Sequence, residues 1–239
     1  NNNLAVEYCK AILELGAALV PIPLPRQGAG HGQALTETGG QFASASALRT
    51  LWQNGGADAA APYVPAEVLP LYREAFAAGR YTDLAAAQRC QLVLLRSRCA
   101  GTAPFAQVRG ISEGLEHRLE SAVRSSTTHA ELLDSLTTVR YPRARMRRLA
   151  MDAALGYTAQ TPALPPYLHL LGARKEALSL PGETALPLSH SLARLARENG
   201  TCAQMAAAQS RASDLGALCR AKPEPMGGIY RQKIIFLTN

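Results

Sequence analysis

The chain has 239 residues, 47% hydrophobic and 18% charged, with a net charge of +7 carried by 21 arginines and only four lysines. That length gives one or two globular domains and enough chain to bury a core. No apolar run reaches the roughly 18 residues of a membrane span, residues 1–20 lack the pattern of a secretory leader, and five scattered cysteines without a C-x-x-C fit neither a disulfide framework nor a zinc ribbon.

In chain order, Leu4 to Gly16 carries apolar residues at helical spacing with Gly16 as its stop. Ala18 to Leu24 follows as a short strand, and Pro21 and Pro23 confine it to an edge or a strand end. A helix leading straight into a strand is the tail of an α/β unit, which needs neighbouring strands to form a sheet. Gly28 to Gly40 is a Gly- and Thr-rich loop. Ser44 is placed to cap a helix running to about Gln53, which Asn54-Gly55-Gly56 ends. Pro62 and Pro65 mark a boundary, and from Ala66 to Arg98 the pattern is helical with a break near Gly79. Further helices are expected over 112–124, 129–138 and 143–155, the second opened by the capping box Thr128-His129-Ala130-Glu131 and the third by Pro142. After a proline-rich linker at 162–166, Tyr167 to Gly172 reads as a strand, 189–198 and 203–220 as helices, and Ile229 to Leu237 as a terminal strand. The fold class expected is α/β: the end of an α/β domain (1–60), a helix-rich region (61–160) and a small α/β unit (161–239).

Several familiar chemistries are absent from the pattern. Gly28-Ala29-Gly30-His31-Gly32-Gln33 fails as a dinucleotide fingerprint, since Gln33 stands where glycine is needed and no helix opens there. There is no phosphate-binding G-x-x-x-x-G-K-[ST] and no G-x-S-x-G, and the five histidines never pair at metal-ligand spacing. His117 lies in an amphipathic helix with Glu120 and Arg124 at i, i+4, and reads as structure rather than catalysis.

Two stretches carry chemistry. Ser44-Ala45-Ser46-Ala47-Leu48-Arg49 puts hydroxyls at a helix start with an arginine one turn in, which suits a phosphate, although the stretch by itself reads first as a capped amphipathic helix with a surface Arg. Arg140-Tyr141-Pro142-Arg143-Ala144-Arg145-Met146-Arg147-Arg148 packs five arginines into nine residues, with Arg143 and Arg147 on one helical face. Residues 85–150 hold eleven arginines against five acids, nearly the whole excess charge of the chain. A field of this kind suits RNA or another polyanion, the alternative being a solvated arginine-rich face.

Taken in order, Glu113-Gly114-Leu115-Glu116-His117-Arg118, then Thr138-Val139-Arg140-Tyr141-Pro142 with Arg145 and Arg148, then Pro166-Tyr167-Leu168-His169-Leu170-Leu171-Gly172, resemble the bacterial tRNA(Met) cytidine acetate ligases. The opening Asn1-Asn2-Asn3-Leu4 is similar to that family's Asn-Asn-Ile-Leu segment, and Ser44 to Arg49 to the I-S-S-T-x-I-R motif of the wider HIGH-motif nucleotidyltransferase superfamily. The resemblance implies that residues 1–60 are the end of a Rossmann-like nucleotidyltransferase domain, in an ATP-using tRNA-modifying ligase that makes acetyl-adenylate and transfers the acetyl group to N4 of the wobble cytidine of elongator tRNA(Met). Its implied partners are ATP with Mg2+, acetate and tRNA, without a membrane, and its implied location is cytoplasmic. It also implies ATP contacts at Asn1, Arg26, Ser46 and Arg49, and tRNA contacts at Arg118, Arg140, Arg143, Arg145, Arg147 and Arg148.

The sequence departs from the pattern in lacking H-x-G-H, in having His31-Gly32 where the family has a Tyr-His pair, and in Ala45 and Ala47, which thin the hydroxyls of the phosphate motif. The expectation is therefore the C-terminal portion of such a ligase, inactive by itself, with the adenylation centre encoded before Asn1. Two other readings use the same scaffold: a non-catalytic RNA-binding protein, and an adenylyltransferase for a small molecule.

Overall fold

A computed structural model describes residues 2–25, 42–177 and 184–237. It divides into two compact units, 1–74 and 75–239.

The first unit opens with α1 (Asn2–Glu14), and Gly16 follows at a positive φ of 58°. The strand expected over Ala18–Leu24 does not form. No described residue pairs with this segment, and Leu19, Val20, Ile22 and Leu24 are exposed. The physical reason is the one the prolines announce: without Pro21 and Pro23 amides, and with no neighbouring strand among the described residues, an extended segment has no ladder to join. The Gly28–Gly40 loop lies outside the described residues, as do Asn1, Arg26 and His31. Helix α2 (Ala45–Gly55) is capped as expected. The Ser44 hydroxyl accepts from the Ala47 amide at 3.1 Å, and Gly56 ends the helix at φ 70°. A 3-10 helix (Ala57–Tyr63) follows, with Arg73 donating from Nε to Asp58 at 2.7 Å.

The second unit is built on helices α4 (Leu84–Arg98), α5 (Leu115–Ser125), α6 (His129–Leu136) and α7 (Arg143–Leu155). The helix expected from Ala66 to Arg98 breaks near Gly79 into α3 (Leu69–Ala77), which spans the division between the units, and α4. Gly79 holds φ +66°, and a Cβ there would come within 2.9 Å of the Lys222 amide nitrogen, so only glycine fits. That close approach belongs to a short pairing of 79–83 with 219–222, in which the Asp83 amide donates to the Cys219 carbonyl at 2.8 Å and the Ala221 amide to the Tyr81 carbonyl at 2.9 Å. The Asp83 side chain in turn caps α4.

One core fills the four-helix region. Leu95, Phe105, Leu115, Leu119, Leu132, Leu136 and Met146 are all buried within it. In α7 the buried positions Met146, Leu149, Ala150, Ala153 and Ala154 recur at i, i+3, i+4, i+7 and i+8, one helical face. The capping box of α6 is complete: Thr128 accepts from the Glu131 amide, and the Glu131 carboxylate accepts from the Thr127 and Thr128 amides.

The remainder is a small α/β assembly. Strands β1 (Leu168–His169) and β3 (Leu188–Ser189) pair in parallel, as do β2 (Gly172–Arg174) and β4 (Ile235–Leu237). Between them stand α8 (Leu192–Leu195) and the long α9 (Gly200–Leu218), which starts earlier than its apolar pattern suggests because the Asn199 side chain caps it. The terminal strand is shorter than expected, since Gly228–Arg231 forms a 3-10 turn before β4. Tyr167, Leu192, Leu195, Cys202 and Ala206 make a second core. The molecule is thus mixed α/β, with a helix-rich region and small parallel sheets, as the sequence predicts. No described helix is long and apolar enough to cross a membrane.

Candidate functional site

The two stretches singled out in the sequence fall in different units. In the first, the N-terminus of α2 presents Ser44, Ser46 and Arg49. The Ser44 and Ser46 hydroxyls lie 3.0 Å apart, and Ser46 is exposed. Arg49, one turn in, is exposed, and no carboxylate among the described residues pairs with it. The first-turn amides other than that of Ala47, which Ser44 caps, together with the dipole and this guanidinium, are suited to an anion.

In the second unit, the arginines of the Arg140–Arg148 stretch surround the exposed face of α7 because the buried stripe at Met146, Leu149 and Ala150 turns the rest of the helix outward. Their environments differ. Arg140 pairs with Glu113. Arg143 pairs with Asp134 of α6. Arg145 lies over the Tyr141 ring, 5.2 Å from its centre, with Arg140 at 5.7 Å from the same ring. Arg147 and Arg148 are exposed and have no carboxylate partner among the described residues. Arg118 is committed to the protein: it donates from Nη2 to the Ser135 carbonyl at 2.5 Å and from Nε to the Leu136 carbonyl at 3.3 Å, closing the C-terminal end of α6.

Helical geometry places Arg143 and Arg147 on one flank of α7 and Arg145 on the other. His129, the first residue of α6, is half-buried beside the Arg143–Arg147 flank. Burial holds its imidazole below the ordinary histidine range, and the Arg143 and Arg147 charges lower it further. Neither His129 nor the carboxylates Glu113 and Asp134 stood out in the sequence, because each acts through a neighbour on another element. The spacing of arginines shows how dense the charge is and gives no sign of which carboxylates will meet it.

Cysteine chemistry is disfavoured at the one closely paired site. Burial pushes the Cys219 thiol up to about 11, with the Cys90 thiol beside it adding to the shift, so it stays protonated at neutral pH. Among the described residues, no three His, Cys, Asp or Glu side chains converge as metal ligands would.

The sequence pattern of the HIGH Nucleotidyl Transferase family matches residues 1–226. The chain belongs to that family. Within it, the chain is homologous to bacterial tRNA(Met) cytidine acetate ligases. It is 29% identical to the Listeria monocytogenes ligase over 179 residues, covering 73% of this chain and 43% of that protein. It is 30% identical to the Levilactobacillus brevis ligase over 79% of this chain and 49% of the relative, and 26% identical to the Acetivibrio thermocellus ligase over 99% of this chain and 60% of the relative. The fold agrees: Thermotoga maritima TmcAL bound with alpha-thio ATP superposes on the whole chain with a TM-score of 0.81 at 20% identity, over 60% of its own length. The apo form gives 0.83 at 21% identity. The chain spans between two fifths and three fifths of the length of these relatives.

Proposed function

We propose that this chain is part of an ATP-dependent ligase that forms N4-acetylcytidine at the wobble position of elongator tRNA(Met). The single observation that carries the reading is the match to tRNA(Met) cytidine acetate ligases, which extends along 99% of the chain in the Acetivibrio thermocellus relative. The reaction is acyl activation followed by transfer. An acetate oxygen attacks the α-phosphorus of ATP, and pyrophosphate leaves. The cytidine N4 amine then attacks the acetyl carbonyl, and AMP leaves as the amine loses a proton.

In this reading the first unit holds nucleotide. The α2 N-terminus with Ser46 and Arg49 receives phosphate, where Arg49 offsets the charge that develops on the departing pyrophosphate. Asn1 and Arg26 complete that set. Mg2+ travels with the nucleotide's phosphates. The second unit holds tRNA on the exposed side of α7, where Arg145, Arg147 and Arg148 face outward and Arg140 and Arg143 stand in ion pairs beside them. Residues 1–60, 61–160 and 161–239 then serve as the close of the nucleotide domain, the tRNA-binding region and a small appended unit.

The test is to incubate the full gene product with ATP, labelled acetate and tRNA, and to map the modified base by mass spectrometry. Acetylation of the wobble cytidine that requires ATP is the expected result. Absence of N4-acetylcytidine defeats the reading, and tRNA binding without ATP affinity points to the non-catalytic alternative. Arg49→Ala is expected to weaken ATP binding roughly tenfold, the loss of one charge-assisted phosphate contact.

A further inference from the structure

Glu113 and Arg140 form an ion pair that leaves part of each group unused. Arg140 Nη2 meets Glu113 Oε2, and the Tyr141 hydroxyl lies 3.5 Å from that same oxygen. Among the described residues nothing donates to Glu113 Oε1, and nothing accepts from Arg140 Nε or Nη1. Both side chains are open to solvent, at 57% for Glu113 and 69% for Arg140. The pair is also held in place from both ends. Glu113 stands just before α5 at φ 54°, a left-handed conformation that residues with a side chain seldom adopt. Arg140 sits in a turn closed by reciprocal backbone bonds, the Thr138 amide donating to the Tyr141 carbonyl and the Tyr141 amide to the Thr138 carbonyl, each at 3.1 Å. Its guanidinium lies 5.7 Å from the centre of the Tyr141 ring, which packs against the four-helix core. Val139, at the tip of the same turn, is fully exposed.

An arginine without a counter-ion, such as Arg147, suits a phosphate. Arg140 does not, because the Glu113 carboxylate beside it repels one. The pair presents instead an acceptor next to the donors of a planar fork. Guanine carries the same order along its Watson–Crick edge, and cytosine carries the complement: a donor amine at N4, then acceptors at N3 and O2. We propose that Glu113 and Arg140 read the Watson–Crick edge of one unpaired cytosine in bound RNA. Glu113 Oε1 accepts from the N4 amine, the Arg140 fork donates to N3 and O2, and the exposed Val139 offers apolar surface to the base. Uracil is refused at the same edge, since its O4 sets an acceptor against the carboxylate and its N3–H a donor against the guanidinium. Adenine offers the amine and one acceptor but lacks the third group. The inference rests on the tRNA-ligase reading for its RNA, and adds base discrimination to a surface otherwise suited to phosphates.

The experiment measures the affinity of the full gene product for single-stranded oligocytidylate and oligouridylate of equal length at neutral pH, for the natural protein, Glu113→Gln and Arg140→Lys. The natural protein is expected to favour oligocytidylate by about tenfold. Glu113→Gln, whose amide donates as well as accepts, is expected to bring the two within about twofold, chiefly by raising the affinity for oligouridylate. Arg140→Lys keeps the charge without the fork, and is expected to lower the preference while leaving the salt dependence of binding unchanged. A natural protein that binds both oligonucleotides equally, or neither while binding tRNA, overturns the base contact. So does a Glu113→Gln protein that keeps the full preference, or that loses affinity for both oligonucleotides alike. In each of these cases ATP-dependent acetylation of tRNA still tests the ligase reading separately. No binding to either oligonucleotide or to tRNA overturns both.

Discussion

Arg143 of α7 reaches across to Asp134 of α6, while Arg147, one turn further along the same helix, keeps its charge for solvent or a ligand. The pair ties the two helices at the exposed edge of the four-helix region, and it also places a carboxylate beside the arginine-rich face that the function proposed here gives to RNA. An anion so placed opposes a docking phosphate. Asp134→Asn is therefore expected to strengthen tRNA binding, by about threefold at moderate salt, since an exposed pair is worth ~0.2–1 kcal/mol. Filter binding at two salt concentrations checks it. An affinity that stays the same or falls shows that Asp134 positions Arg143 rather than competing with RNA.

Arg118 behaves differently from its neighbours in charge. Its guanidinium closes the last carbonyls of α6 at Ser135 and Leu136, the groups a helix C-terminus leaves without partners. Arg118→Ala is expected to cost ~1–2 kcal/mol of stability and to leave the salt dependence of tRNA binding unchanged. Urea unfolding together with a salt titration of binding separates the two roles. A lower salt slope with unchanged stability would return Arg118 to the RNA surface.

The helices of the second unit could be read from sequence because their signals are local. Thr128 to Glu131 is a complete start signal, the apolar residues of α7 recur at helical spacing, and Ser44 and Gly56 bracket α2 within a residue or two of where it forms. The segment at Ala18–Leu24 could not, because a strand depends on what lies beside it and its own residues carry no record of that. The same limit governs the site. Five arginines in nine residues announce a basic surface, but whether each is free depends on Glu113 and Asp134, which come from a loop and from α6 and are brought in only by folding. His129 read simply as part of a capping box, and the arginine charges that lower its imidazole come from α7, which only folding brings to α6.

The capping box gives a prediction about stability alone. Thr128 accepts from the Glu131 amide at 3.2 Å and Glu131 accepts from the Thr127 amide at 2.8 Å, which together satisfy donors at the start of a helix only eight residues long. So short a helix has little intrinsic stability and depends on its cap and its buried face. Thr128→Ala is expected to cost ~1 kcal/mol, read as a lower urea midpoint with an unchanged slope. Thr128→Ser is expected to restore most of the loss, and failure of Ser to do so would assign the effect to the methyl group's packing.

His129 also makes stability depend on pH. In the unfolded chain its imidazole titrates near the ordinary value of about 6.5, while in the folded protein burial and the charges of Arg143 and Arg147 hold it lower. Between those two values the unfolded chain binds more protons than the folded one, so folding stability falls as pH drops through about 6.5 and stops falling below the folded-state value. His129→Gln removes this term, so its urea midpoint is expected to decline less than that of the natural protein between about pH 7 and about pH 5. Parallel midpoint curves for the two proteins would mean that the imidazole escapes the arginines' field in solution.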